Sequence, residues 1–290
     1  MELKRRDFLK ISTGAAGLVL LQPSNIDKVC EAAENSSNED LAMLVDVSKC
    51  IGCWWCYVAC KQYNGLPETA TPKPDDPPPL APDTWTTLFT KKQGNTWKFR
   101  KQACMHCTDA ACVNVCPTGA LSHNKLGFVQ YERDKCSGCG YCSQYCPFEV
   151  PQLQTNKVSG DALMDKCTFC IDRVTNGQQT ACSEACPTGA ISFGKRKELL
   201  EEASTRLAEL QKTNPDACLY GANELGGLHV MYILEESPEK QGLPADPKVP
   251  AAAMVHDVFQ WLGVGAVAAV LAGFGLNYLV ARARIAKEEK

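Results

Sequence analysis

Basic charge is not in surplus in this sequence: 30 Lys and Arg stand against 33 Asp and Glu in 290 residues, a formal net charge of -3. A protein that binds nucleic acid neutralises phosphates with a clustered basic face. None is present, so no nucleic acid is expected as a partner. Histidine is scarce too, at four residues, and the two interior ones, His106 and His229, are expected to pack or hydrogen-bond, not to bind metal. The hydrophobic share of 45% is ordinary for a chain that folds, and the length suits one large domain or two small ones.

What is abundant is cysteine, 18 residues. A disulfide scaffold would be far shorter, and a cytosolic enzyme far poorer in thiols. Sixteen of the 18 fall into four runs: Cys50, Cys53, Cys56, Cys60; Cys104, Cys107, Cys112, Cys116; Cys136, Cys139, Cys142, Cys146; and Cys167, Cys170, Cys182, Cys186. The last three runs end in Pro117, Pro147 and Pro187. The first and third are spaced two, two and three residues apart. That spacing, closed by proline, is the bacterial ferredoxin pattern for a [4Fe-4S] cluster: three cysteines hold one cube and the fourth reaches its neighbour. Three thiols on a tight turn can wrap three corners of a cube, whereas the fourth leaves on the next helical turn in another direction. Proline then carries the chain away without an N–H that needs a partner.

Sixteen thiolates supply four cubes with none missing and none spare. A disulfide framework has no reason to choose this clustering. Zinc knuckles would suit Cys167 with Cys170, but zinc takes four ligands and explains neither a third cysteine two residues on nor the prolines. Trp54 and Trp55, inside the first run, are expected to shield a cube from solvent or to dock a partner. Cys218 stands alone and reads as a small apolar filler.

Both ends carry targeting information. The start, "MELKRRDFLKISTGAAGLVLLQP", has Arg5 and Arg6 adjacent, then Phe8, Leu9, Lys10 and an apolar run from Ile11 to Leu21. It reads as a twin-arginine export signal over residues 1–32, with Cys30-Glu31-Ala32 as a cleavage step; the alternative is a basic amphipathic first helix. That route exports folded proteins, which suits a chain loaded with cofactor beforehand. Near the other end, Trp261 to Val280 is 20 residues with one polar side chain, Asn277. At 1.5 Å per residue this crosses a bilayer core of roughly 30 Å, the alternative being a buried helix of a soluble core. Gly263, Gly265, Gly273 and Gly275 would let another membrane helix approach. Arg282, Arg284 and Lys287 follow the span while Asp257 precedes it, so the positive-inside rule leaves the C-terminus in the cytoplasm and the main body in the periplasm. The expected location is the bacterial inner membrane, single-pass.

Between the ends, the proline-rich stretch from Glu68 to Asp83 reads as an extended loop. Leu41 to Cys50 and Gly127 to Cys136 read as strands leading into cysteine runs, and Glu198 to Lys212 as an amphipathic packing helix. "CPTGALS" (Cys116 to Ser122) and "CPTGAIS" (Cys186 to Ser192) form an internal repeat. The expected fold is α+β, two ferredoxin-like [4Fe-4S] units in a duplicated arrangement plus one C-terminal transmembrane helix. Its segments are the signal, 1–32; the double four-cluster domain, 41–218, with a loop insertion at 61–103; an extended connector, 219–252; the transmembrane helix, 253–281; and a basic tail, 282–290.

With these features assembled, the chain from about Leu41 to its end resembles the four-cluster iron-sulfur (beta) subunits of membrane-bound respiratory formate dehydrogenases. The four runs are shared by a wider superfamily of electron-transfer subunits, whereas "LYGANELGGLHVMYILEESPEKQGLPADPKV" (Leu219 to Val249) is similar to the formate dehydrogenase segment before the membrane helix. Spacing alone leaves sequential pairing of the runs open. The resemblance implies nested pairing: Cys50, Cys53, Cys56 with Cys186; Cys167, Cys170, Cys182 with Cys60; Cys104, Cys107, Cys112 with Cys146; and Cys136, Cys139, Cys142 with Cys116.

The resemblance also implies a non-catalytic relay from a large molybdopterin-type catalytic subunit (molybdenum or tungsten) to a membrane cytochrome b subunit in the lipid bilayer, and so to quinone. No residue of the chain would act as acid, base or nucleophile. The leader departs from the formate enzymes, where it sits on the catalytic subunit; the iron-sulfur subunit of a periplasmic nickel-iron hydrogenase carries both leader and tail helix. That hydrogenase relay, a sulfur or sulfoxide reductase relay, and a zinc-bearing membrane anchor are the alternatives.

Overall fold

The computed structural model describes residues 39–155, 162–253, 263, 265–275 and 277–279. In chain order its strands and helices are β1 (Leu41–Asp46), α1 (Trp55–Tyr63), β2 (Thr87–Gln93), β3 (Thr96–Gln102), α2 (Ala111–Asn114), β4 (Leu121–His123), β5 (Val129–Tyr131), α3 (Tyr141–Tyr145), β6 (Gln152–Thr155), β7 (Ala162–Asp165), α4 (Ile171–Val174), α5 (Ala181–Glu184), β8 (Ile191–Lys195), α6 (Arg196–Gln211), β9 (Cys218–Tyr220) and β10 (Val230–Leu234).

Four strands form one sheet in the order β8-β1-β10-β9. β1 runs parallel to β10, with Met43 opposite Val230, and antiparallel to β8, with Val45 opposite Ile191. Both faces are covered. Ala42, Leu44, Met231 and Ile233 pack under Leu199, Leu200, Ala203 and Leu207 of α6. Met43, Val45, Val230, Tyr232 and Leu234 face the main core with Trp54, Cys56, Tyr57 and Phe169. A strand buried on both faces needs apolar residues at every position, so "LAMLV" and "VMYIL" are continuous runs and do not alternate. On α6, Leu200 and Leu207 are wholly buried, each stabilising by about 1.5–3 kcal/mol; the amphipathic helix expected from Glu198 onward is present.

Two segment assignments are corrected. Residues 219–252 are not simply a connector, because β10 is an interior strand of the main sheet and β9 its neighbour. A five-residue apolar run without alternation carries no strand period, which is why the sequence reading missed it. The insertion 61–103 is a loop only in its first part. Its second part is the β2–β3 hairpin, in register from Thr87↔Gln102 to Gln93↔Thr96. The turn is Gly94-Asn95, with Gly94 at φ +60°, a two-residue pair of the kind that favours tight hairpins.

The remaining strands form two small hairpins, β4–β5 and β6–β7. α1 packs on α5 and α2 on α3, giving two similar units, as the internal repeat implied. Residues 265–275 and 277–279 are helical with exposed side chains, among them Val267, Leu271 and Phe274. Among the described residues no helix is long and apolar enough to cross a membrane. The signal, 1–32, the parts of the expected span at 254–262, 264, 276 and 280–281, and the tail, 282–290, lie outside the described residues.

Candidate metal centres

The first run turns sharply before α1. Gly52 and Trp54 both adopt left-handed backbone, at φ +68° and +64°, and a Cβ at Gly52 would meet the Phe99 ring at 2.4 Å. Glycine alone fits there. The turn aims Cys50, Cys53 and Cys56 into one cavity, whose fourth cysteine is Cys186, walled by Trp54, Leu88, Ile191 and Lys101. Cys60, one turn further along α1, opens into a second cavity with Cys167, Cys170 and Cys182, beside Met43 and Phe169.

The second unit repeats the plan. Gly138 and Gly140 occupy the places of Gly52 and Trp54, at φ +68° and +81°, and a Cβ at Gly138 would strike the Ala162 carbonyl oxygen at 1.9 Å. Cys136, Cys139 and Cys142 share a cavity with Cys116. Cys104, Cys112 and Cys146 act together on the thiol of Cys107. The nested sets therefore come together, and sequential pairing does not. The reason is tertiary: α1 lies against α5 and α2 against α3, which carries the last cysteine of each run to its partner run.

The four sets follow one another in space. The Cys56 thiol feels Cys182 of the second set, Cys167 of the second feels Cys104 of the third, and Cys112 of the third feels Cys142 of the fourth. The order is first, second, third, fourth. At the two ends the chain is open: Cys53 and Cys139 are exposed, as are Ile51 and Trp55 beside the first set and Tyr141 and Leu153 beside the fourth. The two tryptophans divide their roles, Trp54 being 3% exposed against the first cavity and Trp55 55% exposed outside it.

Burial pushes the thiols of Cys56, Cys142 and Cys170 up to about 12 and that of Cys146 to about 11, because low dielectric disfavours thiolate. Cys136 goes the other way: burial raises it, but the Tyr131 hydroxyl and the Met164 and Gly138 amides together lower it. Four thiolates gathered in one water-poor space are stabilised by a polycation between them. Every described cysteine is free, which removes the disulfide reading for them. Zinc needs its donors about 2.3 Å from one ion. Among the described residues no three His, Cys, Asp or Glu side chains converge on a single ion, whereas three of the thiol sets line cavities. All-cysteine sets of this form suit iron-sulfur cubes.

Sequence reasoning missed the groups beside the sulfurs. Thr118 and Thr188 Oγ1 lie 3.7 and 3.8 Å from Cys116 and Cys186 Sγ, Asn64 Nδ2 donates to Cys60 Sγ at 3.6 Å, and Thr180 Oγ1 is 3.5 Å from Cys182 Sγ. The repeated Thr of "CPTGA" was the available signal. His106 and His229 take no part in the sets: His106 Nδ1 lies 3.1 Å from the Val129 carbonyl and His229 Nδ1 2.9 Å from the His106 carbonyl. Cys218 is half-buried at the start of β9, its thiol pushed up to about 11 by burial and then by Glu224 and Glu239.

Two family models described as 4Fe-4S dicluster domains match residues 49–120 and 95–196. The nitrate-inducible formate dehydrogenase iron-sulfur subunit of Escherichia coli K12 is 38% identical over 83% of this chain and 85% of its own length. The chain belongs to the formate dehydrogenase iron-sulfur subunit family. The Haemophilus influenzae formate dehydrogenase iron-sulfur subunit is 36% identical over 85% of the chain and 78% of its own length. A more distant relative, hydrogenase-2 operon protein HybA of Escherichia coli O157:H7, is 31% identical over 97% of the chain and 95% of its own length. Like its family, this iron-sulfur subunit carries multiple [4Fe-4S] clusters, and a duplicated ferredoxin-like arrangement fits its paired units.

Proposed function

We propose that the chain is the electron relay of a formate dehydrogenase complex, with four [4Fe-4S] clusters held by the four nested cysteine sets. When bound, each cube takes up and gives back one electron. The chain's own work is to fix their order, bury them, and place hydrogen-bond donors and charges around their sulfurs. No side chain does bond chemistry. Electrons enter from a large molybdenum or tungsten pterin subunit at the Trp55 end and leave at the Tyr141 end toward a membrane cytochrome b and quinone. The body faces the periplasm, a reading supported by Arg5-Arg6 and by the apolar stretch Trp261 to Val280 with its basic flank.

The observation that carries this reading is the single file of four cysteine sets, three of them lining cavities, with exposed apolar residues at both ends. Anaerobic isolation of the intact complex tests it. About 16 irons with equal acid-labile sulfide per chain, four clusters of four irons, and paramagnetic signals that develop on adding formate are expected. Zinc without sulfide, or formate-silent clusters, would overturn it. The HybA match across 97% of the chain favours a second reading, the relay of a nickel-iron hydrogenase. A nickel-containing partner and hydrogen-dependent signals would select it.

A further inference from the structure

Lysine is almost never fully buried unless paired. Lys101 is 1% exposed on β3, opposite Leu88 on β2. Its neighbour Arg100, also buried, points to the other face of the hairpin and is provided for there: Nε donates to the Gln241 carbonyl at 2.9 Å, and the guanidinium lies over the Phe89 and Tyr232 rings. Lys101 has a different environment. It lines the first cavity with Cys50, Cys53, Cys56 and Cys186. The groups that act on it most strongly are the thiols of Cys182 and Cys167, from the second set, then the Tyr232 hydroxyl and Cys56. Its charge reaches Cys56 of the first set and Cys60, Cys167 and Cys170 of the second.

We propose that the Lys101 ammonium is the shared counter-charge of the first and second cluster sites, raising the reduction potential of both. The proposal rests on the cluster reading above. An all-thiolate cube carries net negative charge, and reduction adds one more; a fixed cation in a water-poor interior favours the reduced form. The fourth set lies furthest from it in the file, and in the third Lys166 acts on Cys112.

The test is a mediated redox titration, read by low-temperature paramagnetic resonance, on the complete complex carrying K101M, K101Q or K101R. Signals of the first and second sites are assigned by their loss in C56S and C60S. In K101M and K101Q the midpoints of those two sites should fall, clearly more than those of the other two, and K101R should restore them. Unmoved midpoints, or an equal shift of all four, would overturn the proposal. Should both neutral variants fail to retain iron, full iron in K101R alone would support the counter-charge, and its loss there too would make Lys101 a packing residue and end the idea. Iron and sulfide in the unaltered complex report separately on the cluster reading, so the two failures are distinguishable.

Discussion

Cys56 and Cys60 lie one turn apart on α1, and their thiols open into different cavities. One short helix thereby fixes the spacing between the first and second sites. C56S and C60S should each remove or convert one cluster, and not the same one. Iron per chain is expected to fall from about 16 toward about 12 on loss of a cube, with a different paramagnetic signal missing in each variant. Loss of one common signal from both would contradict the separation.

The adjacent tryptophans should respond oppositely. W54A empties a buried site against the first cavity and is expected to cost about 3–5 kcal/mol, read as a lower thermal midpoint and faster bleaching in air. W55A removes an exposed ring, so iron content and midpoint should hold while formate-driven reduction of the clusters slows in the complex. Equal behaviour of the two variants would mean that neither ring has a face of its own.

The docking of α6 is testable in the same way. Leu207 is wholly buried against the sheet, whereas Leu210 only borders that cluster. L207A should cost about 2–5 kcal/mol and L210A clearly less, by comparison of thermal midpoints under anaerobic conditions.

Buried histidines give the protein an acid-side weakness. Burial, and then the Arg196 charge, lower His229 from 6.5 to about 4. A base with a depressed folded pKa leaves the unfolded chain binding more protons, so stability is full above about pH 6.5 and is lost as pH falls toward 4. At about 1.4 kcal/mol per unit, His229 alone should withdraw about 2 kcal/mol by pH 5. H229N should lose correspondingly less between pH 7.5 and pH 5 in guanidinium unfolding; equal losses would show that His229 is not the group responsible.

Much of the site was legible because its chemistry is local in sequence. Cys50 to Cys56 sit on one turn, and the strand before them, β1, was expected from alternation along Leu41 to Cys50, although its residues prove apolar on both faces. The partner of that turn was not legible from spacing, because Cys186 arrives through the packing of α5 on α1, a tertiary fact. The same holds for β10, whose residues Val230 to Leu234 make sense as a strand only once β1 and β9 flank them. Lys101 was invisible for a further reason. On a hairpin with lysine at positions 91, 92, 98 and 101, alternation alone does not say which one turns inward, and the Leu88 register decides it.

The parallel pairing of β1 with β10 joins Met43 to Val230, which sets a timetable for synthesis. A nascent chain carries both cysteine sets of the 104–165 unit soon after residue 165 leaves the ribosome, although its turn at Cys107 to Asp109 still awaits backbone bonds to Leu225, Gly227 and Leu228. The unit built on Cys50 to Cys60 must wait longer, first for Cys186 and then for the strand near residue 230 that closes the main sheet. Chains stalled after residue 210 are expected to protect the 104–165 region from protease while leaving their first strand open to cleavage.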